Sequence, residues 1–403
     1  MVKNRDIVIF GLQRWDKFTS TITRNTAVEM AKNNRVLFIN PPLQRRNALF
    51  NKDLPFVKKR LRILSGKESD LVQENDNLWV FYPKMIAESI NWITSSTIFS
   101  FFHKKNEKKY ADKIKDAITR LHFKNIILFG DTEMINGFYL KEYLNPDVFF
   151  CLLRDAITSV DYHQRHGNKL QPLLFKKADF VVTNSDTFEK IARKSNPRSY
   201  FIGQGCDLEL YNDNDGKLII PDDIKDIKKP IIGYIGALTT IRLDINVLIY
   251  IAEQKPNWSL VLIGPQQEGF KKSRLNGLKN VYFLGAKEPG TLPSYLKGID
   301  VTLNPQILNE ITDLNYPLKL DEYLAMGKPV VATNTSFMRF YFKDYSYLAD
   351  TKEEYVTLIE KALIDDSPKL KKRRIEFARE HSWENFVNNI YQRIEETEKD
   401  KDK

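Results

Sequence analysis

The 403-residue chain has only two cysteines, Cys151 and Cys206. That excludes a disulfide framework and points to a reducing, cytoplasmic compartment. Long apolar runs are missing too. The most apolar extended stretch, MIAESINWITSSTIFSFF (85–102), carries Glu88, Asn91 and several hydroxyls, whereas a spanning helix needs ~20 mostly apolar residues. It predicts a domain helix, with contact to a membrane interface left open. The opening MVKNRDIVIFGLQ has too short an apolar run for a signal peptide and reads as a first strand. No G-x-G-x-x-G follows that strand, which argues against a dinucleotide cofactor there. His163 and His166 form H-x-x-H with no Cys/His pair nearby, and two ligands do not make a zinc site, so no metal is expected. No short-period repeat and no nucleic-acid-binding module is visible, so no nucleic-acid partner is expected. Acidic residues are outnumbered, 52 Asp and Glu against 62 Lys and Arg. The net charge of +10 favours anionic partners, such as phosphorylated small molecules or an acidic membrane surface.

What is present is alternation. Short β-rich runs such as DIVIF (6–10), RVLFI (35–39), VFFCLL (148–153) and DFVVT (179–183) are separated by helical stretches such as 24–33 and 107–121. Apolar runs without alternation predict strands buried on both faces, hence a parallel sheet flanked by helices. A polar, charged stretch with Pro221 predicts a linker over 213–229. Beyond it the pattern restarts with PIIGYIG (230–236), WSLVLIG (258–264), DVTLN (300–304) and PVVAT (329–333). The expectation is α/β, with two doubly wound domains in series. They span 1–212 and 230–380, and a last helix covers 381–398.

The segment PLKLDEYLAMGKPVVAT (317–333) carries the chemistry. Pro317 suits the first turn of a helix and Gly327 its end. Lys319 and Glu322, three apart, share a face. The helix follows DVTLN and a loop, so its start lies at the carboxyl edge of a parallel sheet, where ligands bind and where a helix start suits phosphate. Lys319 would add a full charge there, and Glu322 could accept two hydrogen bonds from a ribose. The alternative is an i,i+3 salt bridge on a solvated helix face.

This segment resembles the GT-B glycosyltransferases of the group 1 kind, especially bacterial enzymes of cell-surface polysaccharide synthesis of the teichuronic acid or exopolysaccharide type. Pro317, Lys319, Glu322, Tyr323, Leu324, Ala325, Gly327, Lys328, Pro329, Val330 and Val331 match a P-x-K-x-x-E-Y-L-A-x-G-K-P-V-V block. IIGYIGAL (231–238), WSLVLIGP (258–265), GQGCDLELY (203–211) and EFAREHSWENFVNNIYQRI (376–394) fit the family order, best over 230–394. The resemblance implies two Rossmann-like domains facing across a cleft, with the C-terminal helix returning to the N-terminal domain. It implies that Glu322 binds the ribose of a UDP or GDP sugar and Lys319 its diphosphate. Gly236 would give that diphosphate close backbone access, and transfer would need no metal. Two positions depart from the family. Its first glutamate, eight residues before the second, is here Leu314, with Glu310 nearby. Its arginine after the first donor-domain strand is here Ala237, with Arg242 as a shifted substitute.

In the first half, Gly11, Arg14 and Asp16 are expected at the acceptor side. Trp15 either stacks on a sugar or packs inside, and Thr19, Ser20 and Thr21 can cap the following helix. Asp155 and Asp161, beyond another strand, are candidates for a base if the enzyme inverts, although retention is the expected outcome. LQRRNALFNKDLPFVKKRLR (43–62) holds seven basic residues among Leu49, Phe50, Leu54 and Phe56. It is either a solvated face or a site drawn to an anionic inner membrane surface or a lipid-linked acceptor. The resulting expectation is a cytoplasmic, peripherally attached glycosyltransferase acting on a glycan or lipid-linked acceptor. A sugar-nucleotide 2-epimerase of the same fold and a non-catalytic nucleotide-sugar-binding assembly partner stay open as alternatives.

Overall fold

Ten strands form from the first half of the chain: β1 (Asp6–Gly11), β2 (Arg35–Ile39), β3 (Leu43–Gln44), β4 (Leu71–Asn75), β5 (Leu78–Phe81), β6 (Ile86–Ala87), β7 (Ile127–Asp131), β8 (Val148–Leu153), β9 (Phe180–Thr183) and β10 (Ser199–Phe201). Eight of them make a sheet in the order β10-β9-β8-β7-β1-β2-β5-β4, and β3 pairs with β6 apart from it. β1, β7 and β8 are buried along their whole length, as unalternated apolar runs require when helices cover both faces. The exception is β4, antiparallel to β5 and mostly exposed, which closes one edge. The computed structural model describes residues 2–16, 21–159, 161–213, 215–313 and 315–401.

A second sheet takes β11 (Ile231–Ile235), β12 (Ser259–Ile263), β13 (Val281–Gly285), β14 (Val301–Asn304), β15 (Val330–Thr333) and β16 (Tyr347–Ala349). Their order is β13-β12-β11-β14-β15-β16, parallel at every pairing. Counted within the sheet this is 3-2-1-4-5-6, the doubly wound order. Its direction of winding reverses between β11 and β14, so a crevice opens beyond their carboxyl ends. The first sheet reverses in the same way between β1 and β7.

The chain divides into two compact units, Met1–Gly203 with Phe386–Lys403, and Gln204–Asn385. The polar stretch 213–229 lies inside the second unit. Asp213 pairs with Lys297 at 2.9 Å, and Asp223 with Lys287 at 2.6 Å. The segment after Gly203 belongs there too, because the Cys206 amide donates to the His381 carbonyl at 2.7 Å.

The stretch 85–102 is not one helix. Ile86 and Ala87 pair with Leu43 and Gln44, and Asn106 holds the Glu88 amide and carbonyl through its side chain. The helix Ser96–Arg120 starts only where the Ser95 hydroxyl caps it. Polar groups that read as interruptions of a helix satisfy an irregular backbone instead. No helix among the described residues is long and apolar enough to cross a membrane.

The C-terminal helix Trp383–Lys401 begins in the second unit and continues into the first. Ser382 caps it by accepting from the Asn385 amide at 3.0 Å. Along the first unit, Asn34 donates to the Tyr391 hydroxyl at 2.8 Å, and Arg198 holds Thr397 and Asp400. Ile390 and Ile394 are fully buried. Ile390→Ala should therefore destabilise the protein by about 2–5 kcal/mol. Gln392→Ala, on the exposed face of the same helix, should change stability by less than about 0.5 kcal/mol. Denaturant unfolding of both variants checks the difference.

Candidate active site

The helix Lys319–Ala325 stands beside the crevice of the second sheet. Its end is fixed by the backbone: Gly327 adopts φ +69°, its amide donates to Leu324 O, and the Lys328 amide donates to Tyr323 O. That double reversal is the Schellman stop predicted from Gly327. Its placement comes from Tyr323, a fully buried side chain. The Tyr323 hydroxyl accepts from the Ile235 amide at 2.9 Å and donates to the Ile235 carbonyl at 3.3 Å, so the helix is pinned to the last residue of β11.

Pinned this way, the helix sends Lys319 to the turn after β11. Its Nζ donates to the Tyr234 hydroxyl at 2.7 Å and lies 4.3 Å from the centre of that ring. Gly236 has φ +148°, and a Cβ there would fall 2.9 Å from Lys319 Nζ. Gly264, at the end of β12, has φ +145°, and a Cβ there would fall 2.0 Å from Gly236 O. Two glycines are thus required where two strand ends crowd together beside an ammonium group. Glu322 turns elsewhere and is held by the Tyr211 hydroxyl. No ion pair joins Lys319 to Glu322 among the described residues, so the helix-surface salt bridge is not formed. Burial pushes the Glu322 carboxyl up to about 7, against the pull of Lys319 and Tyr211.

The neighbouring Asp321 is completely buried and fully used. It accepts from His381 Nδ1 at 2.7 Å and from the Tyr316 hydroxyl at 2.7 Å, while His381 Nε2 meets the Tyr341 hydroxyl at 2.9 Å. This network joins the helix to the loop before it and to the segment that turns into the C-terminal helix. Sequence reasoning missed Tyr211, Tyr234, Asp321 and His381. All four lie inside segments that fit the family order, but their partners lie far off in the chain.

Arg242 is exposed on the turn that ends in the Asp244 cap. Glu310 opens the short helix Glu310–Asp313, and Leu314 lies outside the described residues. In the first unit, Gly11 faces Asp131 across the β1–β7 pairing, and a Cβ there would come within 3.1 Å of Asp131 O. Its smallness serves sheet packing. The Arg14 guanidinium lies 3.7 Å from the Phe56 ring centre, and Asp16 is 3.9 Å from Arg14 Nε. Trp15 is packed, edge-on to Phe38 at 5.1 Å. Thr21 caps the next helix, and residues 17–20, including Thr19 and Ser20, lie outside the described residues. Asp155 is engaged by Arg154, which also binds the buried Asp131. Burial works against the Arg154 charge, and the two carboxylates more than offset it, raising its pKa. His166 bonds the Ile93 carbonyl and stacks on Phe99. Among the described residues no three His, Cys, Asp or Glu side chains converge as a metal site.

The family model described as Glycosyl transferases group 1 matches residues 218–381, the region that holds this helix and turn. A curated relative from Bacillus subtilis (strain 168), TuaH, named as a teichuronic acid biosynthesis glycosyltransferase, is 28% identical over 222 residues. That match takes in 52% of this chain and 55% of TuaH, so it spans about half the length of the relative. Among solved structures, sucrose-phosphate synthase from Thermosynechococcus elongatus has a TM-score of 0.67 at 15% identity, over 98% of this chain and 99% of that one. Anabaena HepE in complex with UDP has a TM-score of 0.65 at 14% identity, over 97% and 100%. The two-unit GT-B fold is common to them and to this chain.

The raised Glu322 carboxyl has a definite pH consequence. Its folded value lies above its ordinary 4.5. Its contribution to stability is therefore complete below that ordinary value and is lost as pH rises through about 7. Hydrogen bonds donated by a nucleoside follow the opposite sign, because they favour the ionised carboxylate. Uridine or guanosine affinity should rise by up to about tenfold between about pH 6 and about pH 8. Calorimetric titration should show that rise in the parent chain and a flat profile in Glu322→Gln.

Proposed function

We propose that this chain, whose residues 218–381 match the group 1 glycosyl transferases, moves a sugar from a UDP or GDP sugar to a glycan or lipid-linked glycan acceptor in surface polysaccharide biosynthesis. The observation that carries the proposal is Lys319 Nζ held on the Gly236 turn while Glu322 diverges from it. One cation and one carboxylate, about a helical turn apart, suit the two ends of a ribose diphosphate. The Lys319 ammonium exchanges the Tyr234 hydroxyl for a phosphate oxygen and stabilises the charge that develops on the leaving diphosphate. Glu322 accepts from the ribose hydroxyls and so fixes where the sugar lies. Lys319 supplies the positive charge, and transfer runs without a metal. The similarity to TuaH and to the UDP-bound HepE structure supports the pathway and the nucleotide class. Asp155 is engaged by Arg154, and transfer in this proposal retains configuration. Release of free nucleotide in a screen of UDP and GDP sugars with cell-envelope acceptors tests the assignment. Lys319→Met should lower turnover by about 10²-fold and weaken nucleoside diphosphate binding while sparing the nucleoside. Equal turnover by variant and parent would contradict it.

The protein works at the inner face of the membrane in this proposal. Phe50 is 78% exposed and Trp92 72% exposed, with Leu49 and Phe101 also in solvent. The basic run beside them is partly spoken for. Arg45 pairs with Glu88, and Lys59 donates to the Tyr82 hydroxyl. Lys58 pairs with Asp53 at 3.5 Å, which leaves the exposed Arg46 and Lys52 to meet anionic headgroups, each worth about 1 kcal/mol near such a surface. Replacing both Arg46 and Lys52 by Gln should cut binding to phosphatidylglycerol vesicles and leave phosphatidylcholine vesicles unaffected. Cosedimentation reads the difference, and equal binding by variant and parent would refute peripheral attachment through this face.

A further inference from the structure

We propose that the first unit holds a subsite for a phosphate group of the acceptor, built on Arg14 and Arg60. The inference rests on the transferase assignment and specifies the acceptor class. A cavity of about 330 Å³ lies where the first sheet reverses between β1 and β7, at its carboxyl edge, the position at which such sheets take ligands. Arg14 reaches it from the loop after β1, Arg60 from the helix Pro55–Leu64, Glu133 from the loop after β7, and His163 from the helix Asp161–Lys177.

Three buried nitrogens of this wall have no hydrogen-bond partner among the described residues: Arg14 Nη1, Arg60 Nη1 and His163 Nδ1. Arg60 is 3% exposed. Its guanidinium lies over the Tyr82 ring, 4.6 Å from the centroid, which eases its charge but takes none of its N–H groups. Burial lowers Arg60 to about 10, and Asp16 pulls it up, so the group is a cation at neutral pH. A buried cation with an idle donor is costly unless an anion meets it. The carboxylate in the wall is already used: Glu133 accepts from the Ile135 and Asn136 amides and from Asn136 Nδ2. Asp16, whose buried Oδ1 also lacks a hydrogen-bond partner among the described residues, balances part of this charge from 3.9 Å off Arg14 Nε but takes none of the idle N–H groups at that distance.

The two guanidinium groups and the His163 ring come from three separate elements around one small space. A planar carboxylate is satisfied by a single guanidinium fork, whereas a tetrahedral phosphate offers oxygens in several directions. Gln44, Asn47, Asn91 and Tyr162 line this cavity and also a second one of about 720 Å³, which adds Trp92 and Arg165. A phosphate in the inner space leaves room outside it for an attached sugar. The acceptor class is therefore a sugar phosphate ester, either soluble or carried as a diphosphate on a lipid.

The test titrates glucose 1-phosphate against the full chain in excess UDP, with Arg14→Gln and Arg60→Lys as variants and circular dichroism as the check on folding. Saturable binding should appear in the parent chain and weaken at least about tenfold in Arg14→Gln, while glucose itself binds none of the chains. Arg60→Lys, which keeps the charge but loses the guanidinium geometry, should weaken it as well. Vesicles bearing a polyprenyl diphosphate sugar displace glucose 1-phosphate if the lipid carries the acceptor. Vesicles that leave it bound identify a soluble ester. Equal affinity in parent and Arg14→Gln, or no saturable binding by a parent chain that binds UDP, overturns the subsite. A parent chain that binds no UDP overturns the transferase assignment instead.

Discussion

The two hydrogen bonds between the Tyr323 hydroxyl and the main chain of Ile235 set where the side chains of the candidate site lie in the second unit. They fasten a helix of seven residues, too short to hold itself in water, to the end of the central strand. Lys319 then has one place to go, the glycine turn after that strand. Glu322 is one turn further and faces Tyr211. Asp321, between them in sequence, faces inward and is locked by Tyr316 and His381. A single helix thereby presents a cation, a carboxylate of raised pKa and a structural anchor in three directions.

The two units treat charge differently. In the second, the site cation already has a neutral partner, the Tyr234 hydroxyl, which it can give up without stranding a buried carboxylate. In the first, two buried guanidinium groups differ. Arg154 and Asp131 neutralise each other and hold the ends of β7 and β8. Arg60 is just as buried and keeps an idle donor. Desolvation penalises both guanidinium groups; the first is offset by hydrogen-bonded carboxylates, and Arg60 only in part, by the charge of Asp16.

Much of the fold was legible because its signals are local. Unalternated runs such as VFFCLL became β8, and PVVAT became β15. Pro317 and Gly327 bracketed the helix, and Thr21 supplied the cap expected among three hydroxyls. The losses were non-local. Tyr234 lies 85 residues from Lys319, and His381 lies 60 from Asp321, so neither partner shows in a window of sequence. β4 escaped notice because it is largely exposed and antiparallel. The stretch 85–102 reads as a helix by composition, but its first residues satisfy themselves by pairing with β3. Arg60 was hidden in a basic run, where every cation looks solvated, and the ring it lies against, Tyr82, comes from a distant part of the chain.

The most direct measurement is a crystal structure of the chain with UDP bound. The account predicts the diphosphate against the Gly236 turn within hydrogen-bond distance of Lys319 Nζ, the Lys319–Tyr234 bond opened, and the ribose hydroxyls on Glu322. UDP bound at another place, with Lys319 still on Tyr234 and Glu322 still on Tyr211, would contradict it.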